Sequence, residues 1–397
     1  MQGYLRNDGR KGIRNVVAVA YLVECAHHVA QEIALPYRDR GVHVIGFPGC
    51  FPNAYAARIM SELGTHPNVG AVLLVSLGCE GFNRHKLAQA IEASGRPVHT
   101  LVIQETGGTR RTIEAGRAWV EQAIERLESC PRAEMHVEEL VVGTICGGSD
   151  ATSGLTANPA VGRAFDLLVD AGATAIFEET GELIGCEQFM AERSITKELA
   201  GEIVSSVHKA ARYYAAFGHC SFAPGNAEGG LTTIEEKSMG AYSKSGNSRI
   251  SGLIKPGDVP PRGGLYLLDV VPDGEIRFGF PNIVDNTEIV ELIACGSHVI
   301  LFTTGRGSVV GSALAPVVKV CANPDTYRRL AEDMDVNAGR ILEGEAALDA
   351  VGREIYDLVL RVAGGEQTAS EQLGHQEFIL TYKSFEPIGP ACLPGAG

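Results

Sequence analysis

The strongest constraint on the fold is an alternation of apolar runs and helix-like stretches in the first third of the chain. The runs are nearly continuous in Val, Ile, Leu and Ala, which is typical of parallel strands that helices cover on both faces. The predicted strands are residues 13–23, 42–47, 69–77 and 98–103. The predicted helices are residues 24–40, 54–63, 83–93 and 109–128. This order predicts a doubly wound α/β unit, which places ligands at the carboxyl ends of its strands.

A polar stretch at residues 129–139, which contains Pro131, marks a predicted domain boundary. Further apolar runs follow at residues 140–146, 173–177, 264–270, 299–303 and 317–321. The sequence therefore predicts two α/β domains with mainly parallel sheets, at residues 1–132 and 138–397. Between these runs, residues 219–261 are rich in Gly, Ser, Pro and Lys and show little periodicity. We predict an irregular, functional segment there.

Composition excludes several classes of protein for this chain of 397 residues. A net charge of −14 disfavours a nucleic-acid binder, because phosphate binding needs an excess of Lys and Arg. No apolar stretch approaches the ~20 residues that span a bilayer, so no membrane association is expected. The polar residues 1–14 do not resemble a secretory signal, which favours the cytoplasm. The ten cysteines are too few for a disulfide scaffold and are expected to be reduced.

Glycine-rich clusters with polar side chains follow almost every predicted strand. The chain has 48 glycines, and they concentrate where a backbone turns tightly or approaches a ligand. The clusters lie at residues 49–53, 78–81, 104–109, 146–150, 178–181 and 303–307. A single cluster of this kind is common, but six at equivalent strand ends predict a ligand site at the carboxyl edge of the sheets.

Three of these clusters contain a cysteine next to a glycine, namely Cys50, Cys79 and Cys146. A thiolate is a ligand suited to iron or zinc, and the carboxylates of the neighbouring clusters suit harder ions. The alternative for each is a buried residue in a tight turn, because free Cys is among the most buried residue types. The chain has no Cys-x-x-Cys pair, so a metal site would have to be assembled from loops that are distant in sequence.

Two glycine turns precede predicted helices, and each could bind an anion. Gly147–Gly148 and the Gly107–Gly108–Thr109 turn each leave helix N-terminal N–H groups available. Helix capping by Ser149, Asp150 or Thr109 explains the same residues equally well. Arg306 lies between two glycines after a strand, and its guanidinium suits a carboxylate clamp. Neither a Walker motif nor a dinucleotide fingerprint is present.

The least ordinary stretch is residues 224–238, which ends in Glu235, Glu236, Lys237 and Ser238. Adjacent carboxylates and a lysine in a glycine-flanked loop can serve as a base, a substrate clamp or metal ligands. A solvated run of charges is the alternative interpretation of the same residues.

Several unusual motifs together resemble one known family. They are GYLR at residues 3–6, HPN at 66–68, GCE at 78–80, CGGSD at 146–150, ANP at 157–159, PGN at 224–226, EEKS at 235–238 and FTTGRG at 302–307. Glu179 with Glu182 and Glu187 adds a further match. This pattern is similar to the catalytic part of altronate and galactarate dehydratases, and the similarity extends from residue 3 to about residue 345.

The resemblance implies an iron-dependent β-elimination that removes water from C2–C3 of a sugar acid and leaves a 2-keto-3-deoxy acid. Such chemistry needs a base for the proton α to a carboxylate and a Lewis acid for the leaving hydroxyl. The metal ligands that it implies are Cys146, Glu179, Cys79 and Cys50. The catalytic residues that it implies are Glu235, Glu236, Lys237 and Asp150. The substrate-binding residues that it implies are Arg306, Thr304, Asn226, Ser149 and Thr109.

The expected cofactor is Fe²⁺, with an iron–sulfur cluster on Cys50, Cys79 and Cys146 as the alternative. The expected partners are a small anionic hydroxy acid and further copies of the chain. Single-chain members of the family carry a small domain of about a hundred residues ahead of this signature, which here begins at residue 3. We therefore expect a large subunit with a separate small partner, or a variant without that domain.

The leaving group has an alternative as well. The tail from His375 to Cys392 differs from the ends of the sugar-acid dehydratases. A split relative releases sulfite from 3-sulfolactate, so a carbon–sulfur lyase is the second hypothesis. A third hypothesis is a binding subunit that kept the fold without the chemistry.

Overall fold

The computed structural model of this chain describes residues 1–218, 221–276 and 283–383. The described residues form two compact units, each with a parallel sheet, which confirms the predicted α/β fold class. The N-terminal unit contains residues 2–133, together with 272–276 and 378–383. The C-terminal unit contains residues 134–271 and 283–377. In the described part of the chain, no helix has the length and apolar character needed to span a membrane.

The strands are β1 (Gln2–Leu5), β2 (Lys11–Gly12), β3 (Val16–Tyr21), β4 (Val42–Gly46), β5 (Val69–Ser76), β6 (Val98–Val102), β7 (Arg132–Glu134), β8 (Val141–Cys146), β9 (Thr174–Phe177), β10 (Ile250–Ile254), β11 (Gly264–Leu268), β12 (Val299–Thr304), β13 (Val317–Cys321) and β14 (Val336–Asn337).

The α-helices are α1 (His27–Ala34), α2 (Ala54–Gly64), α3 (Arg84–Ala93), α4 (Ile103–Thr106), α5 (Thr109–Glu128), α6 (Ala157–Asp170), α7 (Glu187–Glu192), α8 (Lys197–Phe217), α9 (Pro224–Glu228), α10 (Ile234–Ser243), α11 (Asp285–Ala294), α12 (Pro324–Arg329), α13 (Leu348–Ala363) and α14 (Ala369–Gln372). Short 3₁₀ helices lie at Glu24–Ala26, Leu35–Arg40, Val137–Glu139, Thr180–Glu182, Ala331–Asp333 and Ala338–Ile341.

The N-terminal unit is built on a four-stranded parallel sheet in the order β4-β3-β5-β6. Every residue of β5 is buried, as its continuous apolar sequence predicts for a central parallel strand. Val17, Val19 and Leu73 on one face of the sheet pack against α1 and α5. The helices α2 and α3 pack against each other and against β5. A second, three-stranded sheet in the order β2-β1-β7 was not predicted, because its strands are too short to show a period.

A buried arginine ties the start of the N-terminal unit to its parallel sheet. Arg96 donates to the carbonyls of Val69 (3.0 Å) and His66 (3.2 Å) and to the Asp8 carboxylate (2.9 Å). Partial burial alone would raise the pKa of Asp8. The hydrogen bonds from Arg10 and Arg96 outweigh burial and lower this pKa from 3.8 to about 2. The folded protein therefore favours the charged form of Asp8.

This linkage predicts a loss of stability in acid. Because the pKa of Asp8 is lowered on folding, its stabilising effect is complete above about pH 4 and is lost as the pH falls towards 2. We expect Asp8→Asn to lower the free energy of unfolding by about 1–2 kcal/mol at pH 7, since the side chain is partly solvated. Urea unfolding between pH 2 and 7 measures this. A mutant whose deficit is the same at pH 7 and near pH 2 would contradict the assignment.

The C-terminal unit is built on a seven-stranded sheet in the order β10-β11-β9-β8-β12-β13-β14, and every pairing in it is parallel. Helices α6 and α13 pack against each other, and both contact β12. Helix α11 contacts β8 and β12. The carboxyl ends of β9, β8 and β12 are therefore neighbours at one edge of the sheet. Register brings Cys146 opposite Thr303 and Phe177 opposite Thr144, so the residues that follow Phe177 lie level with Cys146.

The prediction of an irregular segment at residues 219–261 is wrong for about half of the residues described there. This region contains α9, α10 and β10, while residues 219–220 lie outside the described part of the chain. Helix α10 was not predicted from the sequence, because its buried residues include Lys237 and Ser238 as well as Ala241. Its buried face is therefore not an apolar stripe. Its start is capped by Thr233, whose hydroxyl accepts a hydrogen bond from the Glu236 amide. Of the tail noted above, residues 384–397 also lie outside the described residues.

Candidate metal and active site

One thiol and two carboxylates converge at the carboxyl edge of the seven-stranded sheet. Cys146 ends β8, Glu179 follows β9, and Glu182 ends the short helix after it. One ligand atom from each of the three lies within 4.8 Å of the others. The Cys146 thiol lies 3.1 Å from Glu179 Oε1 and 3.3 Å from Glu182 Oε2. Among the described residues, these three form a cluster with the composition of a metal site.

The backbone at Glu179 is held in a conformation that L-residues rarely adopt. Its φ of 77° is the only positive value among the described non-glycine residues. The Cys146 amide donates to Glu179 Oε1 at 3.1 Å, and the Glu179 amide donates to the Glu178 carboxylate at 2.5 Å. Backbone strain of this kind costs about 1–3 kcal/mol and persists only where surrounding contacts enforce it, often at functional sites. Here the left-handed turn brings the Glu179 carboxylate to Cys146.

Two buried lysines hold the far sides of the two carboxylates. Lys244 forms an ion pair with Glu179 Oε2, and Lys237 lies 2.5 Å from Glu182 Oε1. The two lysines are seven residues apart, two helical turns, so α10 and its C-terminal cap present both on one face. Each carboxylate thus binds a lysine through one oxygen and faces the Cys146 thiol with the other. The free side of this cluster is made of one sulfur and two oxygen atoms.

The electrostatics of the cluster favour a cation between these three atoms. Burial, and after it the charge of Glu182, raise the pKa of the Cys146 thiol to about 11. Burial tends to lower the pKa of Lys237, but the attraction of Glu182 outweighs burial and raises it, so the ammonium form persists at neutral pH. Metal binding deprotonates a ligating thiol, and a mixed sulfur and carboxylate set suits a divalent transition metal. The residues present therefore fit a metal centre.

A fourth acidic group lies next to this cluster. Any side chain at Gly147 would collide with the Asp285 carboxylate and the Phe302 ring, so Asp285 packs directly on the backbone beside Cys146. Asp285 is an exposed residue at the start of α11. Even so, loss of solvation around its carboxylate, and then the negative charge of Glu182, raise its pKa to about 6. A carboxylate with such a pKa can exchange protons near neutrality.

Two of the predicted substrate residues lie beside the cluster. The Ser149 hydroxyl donates to the Cys146 sulfur at 3.3 Å, and the Ser149 carbonyl accepts from Asn226 Nδ2 at 3.0 Å. Asn226 also accepts from the Ala223 amide at 2.8 Å, so it links α9 to the loop after β8. This loop is therefore fixed on both sides, with the Ser149 hydroxyl turned to the sulfur.

The end of β12 and the loop after it supply two further predicted residues, Thr304 and Arg306. Thr304 is buried, and its hydroxyl accepts from the Gly307 amide at 3.0 Å. The Arg306 amide donates to the Gly148 carbonyl at 2.8 Å, which joins this loop to the one that carries Cys146. The Arg306 guanidinium donates to Gly225 and to the Glu228 carboxylate, at 2.5 and 2.9 Å.

Asp150, a predicted catalytic residue, is occupied by hydrogen bonds that organise its loop. Its carboxylate accepts from the amide and hydroxyl of Thr152 at 2.9 and 2.6 Å, from the Ser153 hydroxyl at 3.3 Å and from Asn323 at 3.0 Å. It packs so closely on Gly305 that a Cβ there would collide with the carboxylate. These contacts fix the position of the Asp150 carboxylate in its loop, and its catalytic role stays a prediction.

Glu235 and Glu236 are exposed at the start of α10. The Glu236 carboxylate accepts from the amide and hydroxyl of Thr232, at 2.7 and 2.6 Å, and these bonds lower its pKa. Reciprocal hydrogen bonds of this kind are typical of a helix N-terminus. Of the predicted group, Lys237 alone joins the cluster described above.

The remaining predicted residues belong to the N-terminal unit. Cys50 and Cys79 are exposed, and the Cys50 carbonyl accepts from the Gly81 amide at 2.7 Å. Thr109 is an exposed residue that begins α5, behind the positive-φ residues Gly107 and Gly108. These three residues thus lie at the carboxyl ends of the four-stranded sheet.

Glu182, Lys244 and Asp285 were not among the site residues predicted from the sequence. Glu182 was part of the resemblance, and its spacing of three from Glu179 was a usable signal. Lys244 lay in the stretch without periodicity, so its position seven residues after Lys237 carried no meaning until the helix was known. Asp285 follows the undescribed residues 277–282 and had no neighbouring motif to mark it.

Comparison with known proteins extends these observations. Residues 137–385 match the family described as D-galactarate/altronate dehydratase, C-terminal, and residues 3–128 match D-galactarate dehydratase/altronate hydrolase, second domain. The beta subunit of (2R)-sulfolactate sulfo-lyase from Chromohalobacter salexigens is 33% identical over 395 residues, 96% of each chain. Galactarate dehydratase (L-threo-forming) from Escherichia coli is 31% identical over 400 residues, 94% of this chain and 74% of that one. Altronate dehydratase from Bacillus subtilis is 29% identical over 399 residues, 96% and 77% of the two chains.

The fold and the donor cluster define an α/β protein with a candidate metal centre at the carboxyl edge of a parallel sheet. The matches to both domain models identify its class as a lyase. The chain belongs to the D-galactarate/altronate dehydratase family.

Proposed function

We propose that this chain is a metal-dependent hydro-lyase that dehydrates a sugar acid with hydroxyl groups on C2 and C3. The convergence of Cys146, Glu179 and Glu182 at one sheet edge is the observation that carries the proposal. The reaction breaks the C2–H and C3–O bonds and releases one water, and the resulting enol becomes a 2-keto-3-deoxy acid. No oxidant or reductant is needed, because elimination and tautomerisation leave the overall oxidation level unchanged.

We assign Fe²⁺ to the cluster, with Cys146, Glu179 and Glu182 as its protein ligands. When bound, the ion supplies the Lewis acidity that the elimination needs. Lys237 and Lys244 hold the two carboxylates in place through their second oxygens. The Ser149 hydroxyl orients the Cys146 sulfur. An iron–sulfur cluster stays the alternative cofactor, and labile sulfide with visible charge-transfer absorbance would identify it.

Asp285 is our candidate for the group that accepts the C2 proton. Its raised pKa and its position on Gly147 support this role. Lys237 is protonated at neutral pH and therefore serves as a hydrogen-bond donor and positive charge rather than as the base. Hydrogen bonds from Thr232 lower the pKa of Glu236, which makes Glu236 a weaker candidate for the base than Asp285.

Two substitutions test whether Asp285 or Glu236 is the base. We expect Asp285→Asn to reduce kcat by about 100-fold or more, because amides cannot accept the proton. We expect Glu236→Gln to stay within about 3-fold of wild type and to lose only about 0.5–1 kcal/mol of stability through its capping bonds. Steady-state kinetics and urea unfolding of both variants measure this. The reverse pattern would return the base to Glu236.

A carbon–sulfur lyase is the second candidate function. The sulfo-lyase beta subunit is similar over 96% of its own length, which favours this option more than fold alone would. The chemistry differs only in the group that leaves C3, namely sulfite in place of hydroxide. The name of that relative also supports a separate partner subunit for this chain. We further propose that several copies of the chain associate. We propose the cytoplasm as its compartment.

An anaerobic substrate screen with added Fe²⁺ tests both functions. Aldonates, aldarates and 3-sulfolactate are each offered, and both 2-keto acid and sulfite are measured. A 2-keto acid formed from a sugar acid without sulfite supports the hydro-lyase. Sulfite from sulfolactate supports the alternative. Turnover of none of these acids, with iron bound and a small partner subunit supplied, would favour a non-catalytic binding subunit.

A further inference from the structure

An open cavity of about 570 Å³ lies in the C-terminal unit, beside the candidate metal centre. Its walls come from the loop after β8, the end of α9, the loop after β12 and helix α12. Asp150, Arg306, Asn323 and Arg329 provide most of its charged and polar lining. This composition fits a polar ligand better than an apolar one.

The cavity and the centre share one short loop. Cys146 is the first residue of the CGGSD motif and Asp150, in the cavity wall, is the last. Four residues of extended chain span at most about 14 Å, so the Cα atoms of Cys146 and Asp150 lie within that distance of each other. The bond from the Arg306 amide to the Gly148 carbonyl fixes a second wall to the same loop.

The charges of the cavity leave one guanidinium without a counter-ion. The Asp150 carboxylate is saturated by donors from Thr152, Ser153 and Asn323, and the Glu228 carboxylate pairs with Arg306 at 2.9 Å. Arg329 donates to the Thr326 hydroxyl at 3.2 Å and forms no ion pair among the described residues. It is also exposed, so an entering anion can reach it.

We propose that this cavity binds the substrate carboxylate at the end of the molecule farthest from the reacting carbons. Arg329 is the residue that selects this carboxylate. The inference rests on the proposed function and narrows its substrate class to aldarates, which carry a carboxylate at each end. A guanidinium matches a carboxylate in a two-point hydrogen-bonded geometry, and the Arg306–Glu228 pair can rearrange around the same group because it is exposed. An aldonate, with a terminal hydroxyl, lacks this interaction.

Arg329→Met tests the inference, and Arg328→Met is its matched control. Arg328 is the adjacent residue on α12, but its guanidinium pairs with Asp325 and Glu343 and does not line the cavity. With galactarate, we expect kcat/KM of Arg329→Met to fall about 10- to 100-fold, mainly through KM. With an aldonate, kcat/KM should change little, and Arg328→Met should resemble wild type with both acids.

Equilibrium binding separates a failure of this inference from a failure of the proposed function. Adipate and hexanoate are unreactive six-carbon acids with two carboxylates and one, and calorimetry measures their binding to the whole chain. We expect adipate to bind wild type at least about 10-fold more tightly than hexanoate and to lose this advantage in Arg329→Met alone. Equal binding of the two acids, binding of neither, or an advantage that survives Arg329→Met would overturn the inference. None of these results depends on turnover.

Discussion

Cys146→Ser is expected to weaken Fe²⁺ binding by at least about 100-fold and to abolish turnover at stoichiometric iron. The serine retains the size of the side chain but replaces a sulfur ligand by a hydroxyl that does not ionise at neutral pH. Loss of groups that merely support a ligand costs about 10–100-fold in affinity, so loss of the ligand itself should cost at least as much. Anaerobic iron titration with a competing chelator measures the effect.

Cys295→Ser is the matched control for this substitution. Cys295 is buried in the same unit, and its sulfur contacts the Lys255 carbonyl, which a serine hydroxyl can also reach. We expect this variant to bind iron as wild type does. Equal iron affinity of Cys146→Ser and wild type would remove Cys146 from the centre, whatever the activity of the variant.

Lys244→Met is expected to destabilise the metal-free protein by about 3–5 kcal/mol. The side chains of Lys244 and Glu179 are only 2% and 4% exposed, so the substitution leaves a buried carboxylate without its counter-ion. That carboxylate is also on the residue with the left-handed backbone, which loses one of the contacts that enforce it. Urea unfolding of the iron-free protein gives the loss, and added Fe²⁺ should recover part of it by binding the folded form.

Two further variants distinguish this explanation from a general packing defect. In the double variant Lys244→Met with Glu179→Gln, the buried charge is gone, and we expect roughly half of the lost stability to return. In Lys209→Met, the Asp269 carboxylate keeps its second partner Lys255 at 2.7 Å, so we expect a loss of only about 1 kcal/mol. A double variant no more stable than Lys244→Met would show that the pair is not the cause.

The fold was predictable where burial follows a simple period. Strand β5 is apolar at nearly every position and buried at every position, and helix α5 has the predicted bounds Thr109–Glu128. Helix α10 was missed because its buried face carries Lys237 and Ser238, and a polar face that is buried at a site has the pattern of an exposed one. The rule that predicts helices from apolar stripes therefore fails at the element that serves the centre.

The site, like the fold, has features that the sequence predicted and features that it did not. Placing Cys146 and Glu179 near each other required only that adjacent parallel strands end at one edge, which the sequence implied. The left-handed backbone of Glu179 and the pairing of each carboxylate with a lysine depend on tertiary contacts between residues 65 and 55 positions apart. No local pattern encodes such contacts. For Glu236 the motif suggested chemistry, while its hydrogen bonds to Thr232 resemble those of a helix cap, so its catalytic role stays a prediction.

The most direct test of the central claim is X-ray absorption at the iron edge of the anaerobically loaded protein. One iron per chain is predicted to show a single sulfur scatterer among oxygen neighbours, and Cys146→Ser is predicted to lose that sulfur. A shell without sulfur, or several sulfurs with a second iron close by, would contradict a mononuclear centre on Cys146, Glu179 and Glu182.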